Sequence, residues 1–475
     1  MITKVQLKNQ NITPFGGISY VETQFYKSGL AQQIDNHLGK RTKTGTGYSN
    51  ADCIKALALS NLCGGECLED IHRLRHDPSI GGRSKMPSPD TVARALQALS
   101  VENQEVENPK NGKIVLHNFA HELNCLLLDT GILLGRIPQE PLTLDFDHEF
   151  TPTKKYDAVF SYKHERGYFP GVAAIGNCIV SVENRMANAS PNFAQDQQLE
   201  RIFSRLTSRG IVVENFRADN ASYCKDTLKT VMKHTKNFYI RARRPRSEYN
   251  LDDPNIPWKP VEINFIQYEV ASVEFELIRG VKHRLVLKRQ EEPPQDASMK
   301  SCFKEDKRYT HRCILTNNWE LSEKQVIELY NARGESERLF DVMNNDFGWA
   351  HQPFSFMKQN TVFLIIKAII HNFYHYLLHS ISHHIPALKP TSRLKNFIYH
   401  FIAVPAKWVK APSFTEEQVQ QVADMINVSE RPVIYCGGGV ASSGAAEELC
   451  ELMAKANMDS SERGLRSHLK HGWMP

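Results

Sequence analysis

Between residues 142 and 241 the apolar residues change period in a fixed order, which limits the available folds more than any other feature of the chain. "PLTLDFDHEF", "YFPGVAAIG" and "CIVSVENRM" are three short apolar runs separated by turn signals, as in an antiparallel meander. "NFAQDQQLERIFSRL" then takes up the helical period, followed by the strand "GIVVENFRAD", the helix "NASYCKDTLKTVMKH" and the strand "NFYIRAR". In the first run Asp145 and Asp147 share one face, because successive strand side chains alternate, while Leu142, Leu144 and Phe146 point the other way. Either that face is solvated, or something cationic sits on it.

Three strands, helix, strand, helix, strand is the order of the ribonuclease-H-like α/β fold, which gathers carboxylates from separate strands and a late helix around metal ions. The first and fourth strands are neighbours in that order, so Asp147 converges with Asp219, at the junction of "ENFRAD" and the next helix. A helix N-cap is the competing reading of Asp219. The third element is "YNARGESE". At 100° per residue Tyr330, Arg333, Glu337 and Asn344 fall within about 60° on one helical face. Asp341 lies on the same stripe, and a solvated face with an Arg333–Glu337 pair fits equally. Carboxylates without Cys or His suit Mg²⁺ or Mn²⁺, hard cations that take oxygen ligands and serve in-line phosphodiester displacement.

Residues 246–322 interrupt this order with β-rich sequence, an inserted β subdomain, and helices resume at 323–410. The most apolar stretch, from Thr361, carries Lys367 and three histidines, so it reads as a buried core helix rather than a membrane span. His371, His375, His379, His383 and His384 recur at helical spacing without a carboxylate on their stripe, which favours a polar face over metal binding. Residues 1–135 read as helical, either a helix-turn-helix-like DNA reader or a plain bundle. "YIRARRPR" places Arg241 and Arg243 on one face, suited to backbone phosphates, with Arg244 and Arg246 beyond. The net charge of +5 permits a polyanionic partner without demanding one. Ten scattered cysteines without zinc spacing, and an N-terminus without a signal-like core, suggest a reducing, cytoplasmic setting.

"LDFDHEFTPT", "GYFPGVAAIGN", "FRADNASY" and "YNARGESE", with the earlier "GGISYVET", "LEDIHRLRHDPSI" and "SPDTVAR", resemble the DDE transposases of bacterial insertion sequences, in particular the insertion sequence 1380 group, over about residues 12–405. The resemblance implies a ribonuclease-H-like catalytic core with an inserted β subdomain, preceded by a helical DNA-binding region. It implies that Asp147, Asp219 and Glu337 are the catalytic, metal-binding carboxylates, with Asp147 preferred to Asp145 on this alignment. Tyr330 and Arg333 match the family's tyrosine and arginine, and with Arg241 and Arg243 make the expected DNA contacts. Two positions depart from the pattern: Asn344 stands where the family has a lysine, and Glu149 where it has a threonine. The implied partners are the terminal inverted repeats and target DNA, bound by a homodimer near the nucleoid with no membrane. The implied activity is metal-dependent cleavage and strand transfer at the ends of a mobile element; the alternative is an inactive DNA-binding relic. Residues 411–475 differ in texture: "RPVIYCGGGVASSGAAEELCELMAKAN" resembles the start of the central domain of acetolactate-synthase-type thiamine-diphosphate enzymes, too short to build that domain. Five segments follow, at 1–135, 136–245, 246–322, 323–410 and 411–475.

Overall fold

The computed structural model describes residues 12–41, 47–77, 80, 86–109, 111–138, 141–243, 249–251, 253–291, 309–406 and 416–428, together with 448, 451 and 452. The side chains of 335–337, 416–419, 422 and 426 lie outside that description. Five helices come first: α1 (Ile18–Lys27), α2 (Leu30–Leu38), α3 (Asn50–Leu62), α4 (Ile71–Arg75) and α5 (Pro89–Ala98). Ser49 and Asp52 close a reciprocal capping box on α3, and Ser88 caps α5 ahead of Pro89. All thirteen residues of α3 are buried, so it forms the centre of a bundle and has no face to lay in a DNA groove. The expected all-helical N-terminal region also contains β1 (Gln104–Asn108) and β2 (Lys113–Asn118), an antiparallel hairpin around Gly112 at positive φ. Helix α6 (His121–Leu133) follows.

The core follows the order read from periodicity: β3 (Thr143–His148), β7 (Gly171–Ile175), β8 (Cys178–Arg185), α7 (Gln195–Thr207), β9 (Asn215–Ala218), α8 (Lys225–His234) and β10 (Asn237–Arg241). Between β3 and β7, β4 (Thr151–Pro152), β5 (Val159–Phe160) and β6 (Arg166–Tyr168) make a separate small sheet. In the main sheet β8, β7, β3, β9 and β10 lie side by side; β7 runs antiparallel to its neighbours and β3, β9 and β10 run parallel. This is the ribonuclease-H-like arrangement. Both β7 and β8 are buried along their whole length, as central strands covered on both faces must be.

The β-rich insertion is joined to that sheet. Strands β11 (Lys259–Ile263), β12 (Ile266–Ile278), β13 (Val281–Glu291) and β14 (Tyr309–Thr316) continue it through β14 against β10, while β2 extends the other edge beside β8. The result is eleven strands in one sheet, so the boundary expected at 245 is not a break in the hydrogen-bond ladder.

Helices α9 (Glu323–Asn331), α10 (Gly334–Asn345), α11 (Met357–Ser382), α12 (Leu394–Phe397) and α13 (Glu416–Val428) complete the described elements. Among the described residues α11 is the helix long and apolar enough to cross a membrane, yet its apolar window is 89% buried against α3, α5, α6 and β8. Its histidines divide: His371 is buried and its pKa is pulled down to about 4 by burial, His375 falls well below the usual range for the same reason, and His379 and His383 lie toward the end of the helix. One apolar core runs through α1–α5, α6, α10 and α11, so the N-terminal helices share their interior with the helix that carries Glu337. Gly16 and Gly17 explain "GGISYVET": a Cβ on Gly17 would stand 2.2 Å from the Phe401 carbonyl oxygen, where the N-terminal segment pairs with 404–406. The glycine-rich "RPVIYCGGGV" lies outside the described residues.

Candidate active site

Parallel pairing of β3 with β9 runs in register from Thr143 opposite Asn215 to Phe146 opposite Ala218. One step further sets Asp147 level with Asp219 on strands about 4.8 Å apart, on the face that also carries Asp145 and Arg217. The shared aspartate face is therefore real, but its two members have different surroundings.

Asp145 is 4% exposed, and both its oxygens are taken: Arg217 donates from Nε to Oδ1 at 2.7 Å and from Nη2 to Oδ2 at 2.7 Å. Nη1 of Arg217 donates to the Leu329 carbonyl, at 2.7 Å, which ties the end of α9 to the sheet. A buried two-pronged pair of this kind engages both oxygens and neutralises the charge a metal would need. The pattern "DFD" opposite "RAD", with opposite charges two residues before each outer aspartate, is the sequence signal for it.

Asp147 is held differently: Oδ1 accepts from the His148 amide at 2.9 Å and Oδ2 from a single nitrogen of Arg333. Burial pushes its carboxyl up to about 7; the Arg333 guanidinium pulls it back, and Asp219 and Glu149 push it up again. Arg333, 7% exposed, donates Nη2 to Asp147 Oδ2, while its buried Nε has no partner among the described residues. Burial opposes the Arg333 charge, and the field of Asp147, Tyr330, Asp219 and Asp145 outweighs it, so the guanidinium stays firmly protonated. The Tyr330 hydroxyl is raised first by burial and then by Asp219 and Asp147, with Arg333 and Arg241 acting against it.

Asp219 caps the 3₁₀ turn Asn220–Ser222, its Oδ1 accepting from the Ala221 amide at 2.9 Å. Oδ2 makes no hydrogen bond among the described residues, so capping and metal binding are compatible roles for one carboxylate. Asp147, Asp219, Tyr330, Arg333 and Arg241 thus fall into one electrostatic cluster at the carboxyl ends of β3 and β9. Arg241 is exposed on β10 and Arg243 is exposed just beyond it, with Ala242 buried between them, so the two arginines share a face as their spacing predicts.

The single helical stripe expected from Tyr330 to Asn344 is interrupted. The chain leaves α9 after Asn331, turns through Ala332 and Arg333, and restarts as α10 at Gly334. Arg333 therefore sits at the joint between two helices, where its side chain reaches β3. Position 337 lies in the first half of α10, and the Glu337 side chain is outside the described residues. Asn344, two turns further along, donates Nδ2 to Glu149 Oε1 at 2.9 Å. The two positions that depart from the family pattern are hydrogen-bonded to each other, a pairing with no local signal in the sequence. The other Glu149 oxygen is buried without a partner among the described residues, and burial pushes that carboxyl up to about 7. Asp341, the competing acid of the stripe, is held by Arg393 and Asn345 instead.

The sequence matches the family described as transposase DDE domain group 1 over residues 3–389. The chain belongs to this family. A second match, to the thiamine pyrophosphate enzyme central domain, covers residues 419–462 of the transposase chain only. Two solved structures resemble the transposase distantly. The piggyBac transposase synaptic complex with hairpin DNA is 10% identical, with 89% of this chain and 91% of that chain covered at a TM-score of 0.43. The Mos1 transposase paired-end complex with left transposon end is 12% identical, with 46% and 76% covered at a TM-score of 0.16. No curated protein matches the chain.

Proposed function

We propose that this transposase cuts DNA at the ends of an insertion sequence, of the insertion sequence 1380 type, and joins the freed 3′-hydroxyls to target DNA by cut-and-paste transposition. The observation that carries this reading is the convergence of Asp147 and Asp219 at neighbouring strand ends beside Arg333. The donor set fits a divalent cation: two carboxylates stand at neighbouring strand ends, burial and then the charge of Asp219 weaken the acidity of Asp147, and both offer hard oxygen. Asp147 and Asp219, with Glu337 as third ligand, would hold Mg²⁺ or Mn²⁺. Held there, such an ion would supply Lewis acidity to the attacking and leaving oxygens.

The remaining work belongs to the chain's own side chains. Arg333 supplies the positive charge beside Asp147 that an end phosphate would meet. Tyr330, whose hydroxyl feels the charges of Asp219, Asp147 and Arg333, orients the end phosphate or an adjacent base. Arg241 and Arg243 track the backbone along the neighbouring strand end. The helical N-terminal region, with Arg73, Arg75 and Arg94 exposed on α4 and α5, reads the terminal inverted repeats, and the chain acts as a dimer on DNA. Residues 411–475 are an appended fragment of a metabolic-enzyme domain without a role in the reaction.

The test is incubation of the purified chain with labelled DNA from both flanks of its element, with Mg²⁺ and with EDTA, and again with Asp219→Ala. Metal-dependent nicking at the element boundary, lost in the variant, is expected. The Asn344–Glu149 pairing favours one second reading, a DNA-binding relic; salt-sensitive binding of the element ends without any cut would select it.

A further inference from the structure

A cavity of about 190 Å³ opens where α10, α11 and the turn between β7 and β8 meet. Leu339 and Val342 of α10, with Leu394, give it apolar walls, and His371, Tyr374 and His375 line it from α11. Tyr374 adds only its ring, because its hydroxyl donates to the Ser392 carbonyl at 2.7 Å. Two arginines also border the cavity: Arg393 is spent on Asp341 and Asp346, and Arg338 is exposed. The two imidazoles remain, one helical turn apart, with ring centroids at 4.6 Å.

The hydrogen-bond network assigns the proton on each ring. Arg136 donates Nη2 to Asn177 Oδ1 at 2.9 Å, which turns the amide nitrogen of Asn177 toward His375 Nδ1 at 3.2 Å. An amide nitrogen can only donate, so His375 Nδ1 accepts and the proton of that ring sits on Nε2. On the other ring the order reverses. Asn372 bonds both backbone groups of Ile179, accepting the amide through Oδ1 at 3.0 Å and donating Nδ2 to the carbonyl at 2.8 Å. That Oδ1 stands 3.4 Å from His371 Nδ1, so His371 carries its proton there and leaves Nε2 bare. Burial keeps both rings neutral. Neither Nε2 atom has a partner among the described residues, neither is closed off by protein, and both rings border the cavity. The cavity therefore offers one donor and one acceptor, in fixed places, between apolar walls.

A ligand that satisfies this pair needs a donor and an acceptor side by side, a flat apolar body and no net charge. A ring N–H next to a C=O supplies all three: the carbonyl accepts from His375 Nε2–H, and the N–H donates to His371 Nε2. An anion would meet the lone pair of His371, and a cation the N–H of His375. The volume is below the ~300–1,000 Å³ of sites for drug-sized molecules, so the occupant is a small ring. We infer that the cavity between α10 and α11 is a binding site for a neutral cyclic amide, of the pyridone or oxopyrimidine kind. The occupant packs on Leu339 and Val342 and braces the helix that contains position 337 against α11. This inference goes beyond the DNA-end reading and does not depend on it.

The experiment is fluorine NMR of 5-fluorouracil with the full chain at pH 7, with 2-pyridone as competitor. The fluorine line should broaden with wild type and sharpen again when 2-pyridone is added. Toluene fits the walls but lacks both polar groups, and benzoate carries a charge. Each should compete on the order of ten-fold less well than 2-pyridone, the scale of two lost hydrogen bonds. Val342→Trp fills the cavity and should abolish the broadening, with circular dichroism confirming that the variant is folded. His375→Phe keeps a ring of similar size at a half-buried position and removes the donor. It should weaken 2-pyridone on the order of ten-fold and leave toluene unchanged. Hydrogen exchange of the α10 amides should slow when 2-pyridone is bound. No broadening with wild type overturns the inference, as does broadening that survives in Val342→Trp. Toluene or benzoate competing as well as 2-pyridone, or His375→Phe binding 2-pyridone as wild type does, overturns the assigned ligand class. Each of these results leaves the DNA-end reading intact.

Discussion

Asp145→Asn and Asp147→Asn exchange the same atoms two residues apart on one strand face, yet the surroundings demand opposite results. Asp145 neutralises the buried Arg217 fork through two contacts of 2.7 Å. Removing that charge strands a guanidinium that is 8% exposed, and breaking one side of a buried pair costs about 3–5 kcal/mol. Asp147 is the reverse case. Its carboxyl is held near 7 instead of 3.8, so ionising it in the folded chain costs up to about 4 kcal/mol at ~1.4 kcal/mol per pH unit. The raised value means the cost is absent below about pH 4, grows between 4 and 7, and is complete above 7. The variant also gives up the Arg333 contact, which offsets part of the gain. Asp147→Asn should therefore raise stability by about 1–2 kcal/mol at pH 8 and by less at pH 5.5, while Asp145→Asn lowers it at both. Denaturant unfolding followed by circular dichroism at the two pH values reads both effects. Loss of stability on Asp147→Asn comparable to that of Asp145→Asn would refute the assignment of the inner aspartate to structure and the outer one to chemistry.

Other outcomes follow from single contacts. Lys367 is 1% exposed with no ion pair among the described residues, and burial pulls its pKa down to about 7. Lys367→Met should stabilise the chain by about 1–4 kcal/mol at pH 7. Because the lysine's folded value is depressed, wild type should recover part of that difference as the pH rises from 7 toward 10, and thermal unfolding across that range checks it. Asn264 and Phe265 form a β12 hairpin turn with both φ positive, and Phe265 is 97% exposed. Phe265→Gly should gain about 0.5–1 kcal/mol, read from the urea midpoint. Asn344→Ala leaves both Glu149 oxygens unpartnered and should cost about 1–3 kcal/mol, whereas Asn344→Asp should cost more by adding a like charge. Mg²⁺ should raise the melting temperature of wild type and not of Asp147→Asn or Asp219→Ala, by differential scanning fluorimetry.

Much of the site was legible in one dimension because it is built from strand ends. The period-2 alternation of "LTLDFDH" sets Asp145 and Asp147 on one face whatever lies around them, and a strand ending in "RAD" aims its last carboxylate past the sheet edge. Element order then brought Asp147 and Asp219 together, since the first and fourth strands are neighbours. The helix was harder to read. A stripe computed at 100° per residue assumes one unbroken helix, and the turn through Ala332 and Arg333 contains neither proline nor a strong break signal. Its position instead follows the Arg217–Leu329 contact, which anchors the end of α9, and the Arg333–Asp147 contact across the joint. The N-terminal hairpin Gln104–Asn118 was missed because its exposed first strand, "QEVEN", has too few apolar residues to declare a period.

What the sequence alone determined is the alternation of strand and helix, the pairing of aspartates on shared faces and the family to which the chain belongs. These rest on local periodicity and on order along the chain, and neither needs a third dimension. Only the tertiary structure decided which arginine each aspartate meets, and by how many contacts. Arg217 and Arg333 lie 72 and 186 residues from their partners, and charges so distant in sequence meet only after the sheet and the broken helix have packed. Burial then separates the two carboxylates: one spends both oxygens on a guanidinium fork, and the other keeps a weakened acidity at the sheet's edge.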